Sequence, residues 1–143
     1  MSKLDIYAKD STDRLQPNFR LSEFSCKCGT RNCQIALHDP NLSRLLQVLR
    51  QECKKPVTIT SGYRCPEHNK LVGGSATSYH VKGMAADIQV AGVPPKQLAQ
   101  LAEKVGFSGI GLYDTFVHVD TRPRKYFWNQ KTGESVATFQ SKP

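Results

Sequence analysis

The sequence has 143 residues, enough for one domain with its own core, because a chain of this size buries roughly 68–70% of its unfolded surface. Hydrophobic residues make up 38% and charged residues 22%, a balance that excludes the disordered and fibrous classes. Twenty Lys and Arg against 12 Asp and Glu give a formal net charge of +8, which favours anionic partners without selecting one.

The N-terminal third predicts a loose segment followed by a helix. Residues 1–20 are polar without a sustained period, so we interpret them as a partly extended lead-in, and residues 21–24 as a short turn. Asp39 and Pro40 are a typical helix cap and first-turn residue. The apolar positions that follow recur at helical spacing towards Cys53: Leu42, Leu45, Leu46 and Leu49. We therefore predict an amphipathic helix of about four turns.

The middle of the sequence alternates short strands with a short helix. Residues 57–60 alternate apolar with polar side chains, as in a half-buried strand. Residues 65–71 carry a proline near their start and two glycines after their end, which indicates a short helix. Residues 85–90 predict another strand, whose alternation places Asp87 and Gln89 on one face.

The C-terminal third predicts a helix and two strands. The helix starts at Pro94 and Pro95 and ends at Gly106, a typical left-handed cap. Strands follow at residues 109–112 and 116–120, whereas residues 126–143 show no period and are interpreted as a tail. No repeat or long linker interrupts the chain, so we expect residues 1–143 to form a single domain.

The sequence offers no sign of membrane insertion or export. It contains no run of about 18 apolar residues, and its first residues lack the apolar core of a signal peptide. We therefore expect synthesis in the cytoplasm and no transmembrane segment. A substrate outside the membrane would require another delivery route.

The basic residues are spread along the chain. The densest groups, Lys54–Lys55 and Arg122–Lys125, are too short for a nucleic-acid arm. We expect a solvated basic surface, no specific nucleic-acid partner, and a monomer.

Five cysteines leave three alternatives open. Cys26, Cys28 and Cys33 lie within eight residues, but their spacing is not the usual one of a zinc ribbon. A metal site here would need a fourth ligand from further along the chain: Cys53, Cys65 or His38. Disulfides would require an oxidising compartment. We rank reduced structural thiols first, disulfides second and a structural zinc third.

Three residues on predicted strands and loops suggest a metal site. His80 leaves a loop, and Asp87 follows seven positions later on a predicted strand. His118 lies on the polar face of the predicted strand at residues 116–120, and Asp120 lies roughly 6.5 Å further along the same face. A single histidine is more often a hydrogen-bonded residue than a ligand, but two histidines and one aspartate match the three protein ligands of a catalytic zinc.

Ordered motifs connect these residues with a known family. Residues 61–69 read Ser-Gly-Tyr-Arg-Cys-Pro-x-His-Asn, residues 73–87 read Gly-Gly-x-x-x-Ser-x-His-x-x-Gly-x-Ala-x-Asp, and residues 116–120 read Phe-Val-His-Val-Asp. The pattern, from about Phe19 to Arg122, resembles the M15 peptidases, which are D-alanyl-D-alanine carboxypeptidases and related bacterial and phage wall endopeptidases.

The resemblance implies a site and a fold. His80, Asp87 and His118 would bind one catalytic Zn²⁺, and Arg64 would grip a carboxylate or carbonyl of the substrate. Ser78 would contact the substrate or support a ligand, unless it only caps its loop. The implied fold is α+β, with a small, mainly antiparallel sheet flanked by helices, like that of hedgehog and D-Ala-D-Ala peptidases.

The general base is less well specified by the motifs. Many M15 relatives carry Asp or Glu three residues before the last ligand, where this chain has Thr115. We name Asp120 first as the base and Asp114 as its rival. Asp120 has an alternative role, which is to orient His118 by a hydrogen bond.

The expected function is zinc-dependent hydrolysis of peptide bonds in bacterial peptidoglycan, as a carboxypeptidase or as an endopeptidase. A phage-type lysin released through the membrane would fit the expected absence of a leader. Thr115 motivates the alternative, a wall-binding or virion structural module that keeps the fold without turnover.

Overall fold

The computed structural model describes residues 4–9, 11–29 and 33–140. Its strands are β1 Asp5–Ala8, β2 Arg14–Gln16, β3 Phe19–Arg20, β4 Ile35–His38, β5 Thr58–Ser61, β6 Ala85–Gln89, β7 Gly109–Leu112, β8 Val117–Asp120, β9 Tyr126–Asn129 and β10 Glu134–Val136. Its α-helices are α1 Pro40–Cys53, α2 Pro66–Leu71 and α3 Pro95–Val105, and residues Leu21–Phe24 form a short 3-10 helix.

The main sheet has six strands in the order β10-β9-β7-β8-β6-β5. Neighbouring strands are antiparallel, except that β7 and β9 run parallel. Two smaller sheets pair β1 with β4 and β2 with β3, both antiparallel. The prediction of an α+β fold with a mainly antiparallel sheet is confirmed.

The two longer helices begin and end where the sequence predicts. Asp39 caps α1, since its carboxylate accepts a hydrogen bond from the Asn41 amide at 3.0 Å. Lys54 ends this helix in the left-handed conformation at φ 58°. Gly106 ends α3 at φ 109°, a conformation that costs little without a Cβ atom. No helix of the described residues has the length and apolar character needed to cross a membrane.

The core lies between these helices and one face of the main sheet. Ile88 on β6, Ile110 on β7 and Val119 on β8 are fully buried against apolar residues of α1 and α3. Because side chains alternate along a strand, the intervening residues Asp87 and His118 project from the opposite face. The register of the core thereby determines which polar groups meet on the other side of the sheet.

Both ends of the described chain are more ordered than their sequences suggested. In the tail at residues 126–143, β9 and β10 extend the main sheet, and Phe127 is buried in the core. In the lead-in at residues 1–20, β1 pairs with β4, about 30 residues later. These strands have three or four residues each, which is too short for alternation to become visible in sequence.

His38 is a buried histidine next to the start of α1. It is 1% exposed, lies edge-on to Phe24 with 4.7 Å between ring centroids, and its Nε2 is 2.9 Å from the Ser43 hydroxyl. Burial lowers the pKa of His38 to about 4, although the Asp39 and Asp5 carboxylates act in the opposite direction. The folded protein therefore keeps His38 neutral well below the pH at which it would be protonated in the unfolded chain.

We expect His38 to weaken the fold in acid. Its stabilising effect is fully present above its unfolded pKa near 6.5 and is lost as the pH falls towards 4, because only the unfolded chain takes up the proton readily. Between about pH 7.5 and pH 5 the free energy of unfolding should fall by about 2 kcal/mol more in the wild type than in His38→Leu. Urea titrations of both proteins measure this difference, and parallel pH curves would contradict it.

Candidate metal centre

Two of the three predicted ligands are direct neighbours across the sheet. Asp87 on β6 stands opposite His118 on β8 in the antiparallel register. The His118 Nδ1 atom lies 3.2 Å from Asp87 Oδ1, and the His80 Nε2 atom lies 3.1 Å from the same oxygen. All three residues are buried, and their potential ligand atoms lie within 4.8 Å of one another. The structure thus brings together the predicted set.

The spacing of these atoms suits a tetrahedral ion. Zinc bound at 2.0–2.2 Å to nitrogen and oxygen would separate neighbouring ligand atoms by about 3.4 Å. The two nitrogen–oxygen distances of 3.1 and 3.2 Å are close to that value. Two imidazoles and one carboxylate also leave a fourth position open, as in catalytic zinc sites. The residues present therefore fit a single metal ion.

Each histidine has a second partner that orients its ring. His80 Nδ1 lies 2.8 Å from the Gly62 carbonyl oxygen, so this nitrogen carries the proton and donates it. His118 Nε2 lies 2.7 Å from Asp120 Oδ2 and donates in the same way. The other nitrogen of each ring faces Asp87; when protonated it donates a hydrogen bond to that carboxylate, and on losing the proton it is able to bind a metal. This is the arrangement in which a histidine binds a metal.

The charges of the site favour an ionised Asp87. Burial by itself would raise the pKa of this carboxyl group, but hydrogen bonds from His118 and His80 hold the pKa well below its usual range. Arg64 adds a guanidinium donor at 3.4 Å from Asp87 Oδ2. Asp87 is therefore a carboxylate at neutral pH, the form that binds a cation.

Asp120 lies behind His118 with its oxygens occupied. The side chain is fully buried, and Arg122 Nε and Nη2 donate to its two oxygens at 2.9 and 2.6 Å. Burial would raise the pKa of Asp120, but the bonds from His118 and Arg122 lower it to about 2. The carboxylate therefore has a charged donor on one side and the His118 ring on the other.

Two glycines of β7 make room for this arrangement. Gly109 stands opposite Asp120, and a Cβ atom there would overlap the Asp120 carboxylate. Gly111 stands opposite His118, and a Cβ atom there would overlap the indole of Trp128. That indole lies 5.2 Å from the His118 ring, measured between centroids. The empty face of β7 thus lets side chains of β8 and β9 approach the site.

Gly111→Ala should push Trp128 away from His118, because the new methyl group needs the space of the indole. We expect a loss of about 1–3 kcal/mol in the free energy of unfolding, as for other overpacked sites. Trp128 is the sole tryptophan of the chain, so a changed fluorescence emission would report the displacement. As a control, Gly106→Ala strains a helix end with open space around it and should leave the emission unchanged.

A cavity of about 550 Å³ opens above the three ligands. Its wall includes Arg64 and Ser78, both named from the sequence. Arg64 is held by Ser61 Oγ, Asn69 Oδ1 and Asp87 Oδ2 at 3.2, 3.3 and 3.4 Å. Ser78 Oγ accepts a hydrogen bond from the His80 amide at 3.1 Å, so it supports the ligand loop as well as facing the cavity.

Asp114 lies apart from this cavity. Its side chain is 68% exposed and pairs with Lys131 at 3.2 Å, and it is absent from the residues that line the cavity among those the structure describes. Thr115 is exposed as well, and its carbonyl accepts a hydrogen bond from Gln89. Neither Asp114, the rival candidate for the base, nor Thr115, which stands where many relatives carry the base, lines the cavity above the ligands.

Four further residues of the cavity were not singled out by sequence: Tyr79, Tyr113, Arg122 and Trp128. The Arg122 guanidinium lies 4.5 Å from the Tyr79 ring centroid and 5.3 Å from that of Trp128. Trp128 comes from β9, in the segment interpreted as a tail. One sequence feature could have pointed to these residues: Trp128, the single tryptophan, lies six residues after Arg122, which itself follows Asp120 by two.

Comparison with known proteins agrees with this geometry. The profile of the Peptidase M15 family matches residues 17–120, which contain all three ligand residues. The chain belongs to the peptidase M15 family. Relatives of this M15 chain include the probable peptidoglycan L,D-endopeptidase MepK of Haemophilus influenzae, 33% identical over 103 residues, or 65% of this chain and 55% of the relative.

Two other relatives carry related names. The peptidoglycan L,D-endopeptidase MepK of Escherichia coli K12 is 33% identical over 81 residues, or 52% of this chain and 44% of the relative. The zinc D-Ala-D-Ala carboxypeptidase of Streptomyces albus G is 38% identical over 112 residues, or 73% of this chain and 44% of the relative. The M15 chain spans about half the length of the curated relatives it matches.

Proposed function

We propose that this chain is a zinc-dependent peptidase that hydrolyses peptide bonds of bacterial peptidoglycan. The observation that carries the proposal is the shared position of Asp87 Oδ1, 3.1 Å from one histidine nitrogen and 3.2 Å from another, at the base of a cavity. Membership of the M15 family and the names of the relatives, a zinc carboxypeptidase and two L,D-endopeptidases, support the choice of metal and substrate.

The ligand residues have distinct tasks in this proposal. A bound zinc ion supplies a Lewis acid and makes hydroxide available near neutral pH. His80 and His118 offer one nitrogen each, and the Gly62 carbonyl and Asp120 hold the two rings in the required orientation. Asp87 contributes the negative charge that reduces the net charge of the loaded site.

Arg64 is proposed to position the substrate. Its side chain is 17% exposed, lines the cavity and lies beside Asp87, so a peptide carbonyl or carboxylate above the ligands would come within its reach. A guanidinium offers a planar set of donors suited to either group. Ser78 is proposed to support His80 through its backbone amide and to contact the substrate from the same side.

The geometry favours a positioning role for Asp120 over the role of general base. Both of its oxygens accept hydrogen bonds, and the side chain has no exposed surface from which to reach a water in the cavity. Asp114 is a weaker candidate, because it pairs with Lys131 outside the cavity.

The lack of an accessible carboxylate base in the described part of the cavity favours a second function. Among the described residues that line the cavity, Asp87 is the sole carboxylate, and it is needed as a ligand. A chain without a general base could bind peptidoglycan without cutting it, as a wall-binding or virion structural module. This alternative shares the metal and the cavity with the peptidase and differs from it in turnover alone.

Digestion of purified peptidoglycan separates the two functions. The zinc-loaded chain, the chelated chain and the Asp87→Ala variant are incubated with the polymer, and released amines and D-alanine are measured. Zinc-dependent release supports the peptidase, and the products identify the bond. Zinc binding and sedimentation with peptidoglycan, without release of new amines, would support the binding module.

Finer features are also part of the proposal. We infer a single-domain monomer. We also infer a hedgehog-like arrangement of the sheet, since the helices cover one face and the ligands occupy the other. We propose that the chain acts as a phage-type lysin that is released to the cell wall. Its net charge of +8 would favour association with an anionic wall.

A further inference from the structure

Four of the five cysteines converge on one point outside the metal centre. Cys26, Cys28, Cys33 and Cys65 have their sulfur atoms within 4.8 Å of one another. Cys26, Cys33 and Cys65 are buried, with 4%, 7% and 8% of their surfaces exposed, and Cys28 is half-buried. Their convergence joins the loop after the 3-10 helix to the turn before α2, which lies about 40 residues further along the chain.

The sulfur atoms lie among donors rather than carboxylates. The Cys65 amide donates a hydrogen bond to Cys26 Sγ at 3.3 Å, and the Lys9 ammonium group donates one to Cys28 Sγ at 3.4 Å. Amide and ammonium donors stabilise negative charge on sulfur. These two donors favour negative charge on Cys26 and Cys28, whereas burial raises the pKa of the Cys26 and Cys33 thiols, so thiolates here would require a bound cation.

We propose that Cys26, Cys28, Cys33 and Cys65 bind a second, structural zinc ion. Zinc bonded to four thiolates at about 2.3 Å separates neighbouring sulfur atoms by about 3.8 Å, which is compatible with the mutual limit of 4.8 Å. The four ligands leave no open position, so this ion would have a structural role. The assignment reverses the order of alternatives that the spacing of the first three cysteines suggested.

A metal crosslink would stabilise a region of the chain that has few apolar contacts. The apolar cluster beside the sulfurs is small, and its buried members other than cysteine are Leu21, Ala36 and Tyr63. The nearby strands β1 and β4 form a two-stranded sheet, an arrangement that is marginally stable by itself. A metal bound to four side chains would hold this region together where the apolar core is thin.

The crosslink would also stabilise the wall of the cavity. Cys65 follows Arg64, whose amide donates to the His80 carbonyl at 3.1 Å, and Gly62 in the same segment accepts from the His80 ring. The Cys26 loop and this segment are further joined by the bond from the Tyr63 amide to the Phe24 carbonyl at 2.8 Å. The structural zinc would thus fix the segment that orients His80 and carries Arg64.

Zinc content distinguishes the two sites. After dialysis against metal-free buffer, elemental analysis should find two zinc ions per wild-type chain, one in Cys26→Ser and one in Asp87→Ala. Cys53 lies in the last turn of α1, outside the cluster, so Cys53→Ser is a matched control that should keep two. One ion in the wild type together with none in Asp87→Ala would overturn the proposal. The experiment separates this site from the proposed peptidase, since Asp87→Ala should keep the structural ion.

Cobalt substitution tests the site even if Cys26→Ser does not fold. Cobalt(II) bound to four thiolates gives intense charge-transfer absorption in the near ultraviolet, which a histidine and aspartate site lacks. We expect this band in both the wild type and Asp87→Ala, and its absence from both would overturn the proposal. Thiol titration of the unfolded, chelated chain should find all five cysteines reactive, and fewer would indicate disulfides instead.

Discussion

Asp87→Ala is expected to empty the His80–Asp87–His118 site and to abolish hydrolysis. The variant removes the one oxygen that both histidine nitrogens approach, at 3.1 and 3.2 Å, and leaves two imidazoles without the carboxylate ligand. Loss of a Lewis acid removes several kcal/mol of transition-state stabilisation, so the rate on peptidoglycan should fall by about 10³-fold or more. Zinc content and the release of amines from peptidoglycan measure the two effects together.

Gln89→Ala provides the control for this variant. Gln89 projects from the same face of β6, is exposed, and donates to the Thr115 carbonyl instead of the metal site. It should keep zinc and turnover. Full activity in Asp87→Ala, or an equal loss in Gln89→Ala, would contradict the assigned ligand set.

Asp120→Asn is expected to weaken metal binding. The amide keeps the size of the side chain but removes the charge that holds the His118 proton and the two Arg122 donors. Replacing such supporting carboxylates costs about 10–100-fold in metal affinity. Competition with a zinc chelator measures this loss, and excess zinc should restore much of the activity, because a positioning residue acts through the occupancy and orientation of the ligand.

A general base would behave differently. If Asp120 took the proton of the attacking water, Asp120→Asn would retain its zinc affinity and lose about 10²–10⁴-fold in kcat at saturating zinc. Asp114→Asn is the matched comparison, since Asp114 is the exposed rival that pairs with Lys131. A loss of kcat with unchanged zinc affinity in that variant would instead identify Asp114 as the base.

Much of the fold was accessible from sequence because several elements carry local signals. Asp39, Pro40 and the leucines after them define α1 by capping and periodicity, and Gly106 marks the end of α3. The strands at both ends of the chain could not be predicted in this way, since each is very short, and β1 and β9 pair with strands that are not their neighbours in sequence. Their pairing is a property of the assembled sheet.

The candidate site likewise has parts that the sequence identifies and parts that only the folded structure shows. The motifs named His80, Asp87 and His118, and the structure brings them together as neighbours. For Asp120 the sequence left two roles open, general base or orientation of His118, because the bidentate contact from Arg122 and the burial that favour the second role are not visible in spacing. A metal site at the cysteines was one of three alternatives, with Cys65 as one of three possible fourth ligands, because Cys65 is distant in sequence and reaches the others only through the turn before α2.

The pairing of Asp87 with His118 makes the metal centre sensitive to the length of two strands. The buried residues of β6 and β8 alternate with the ligands, so inserting one residue into either strand would turn its ligand towards the helices and its apolar side chains towards water. Insertions in the exposed turn at Ala91–Gly92, by contrast, leave that alternation intact. Natural variation in chain length should therefore concentrate in the turns, while the spacing within each strand stays constant.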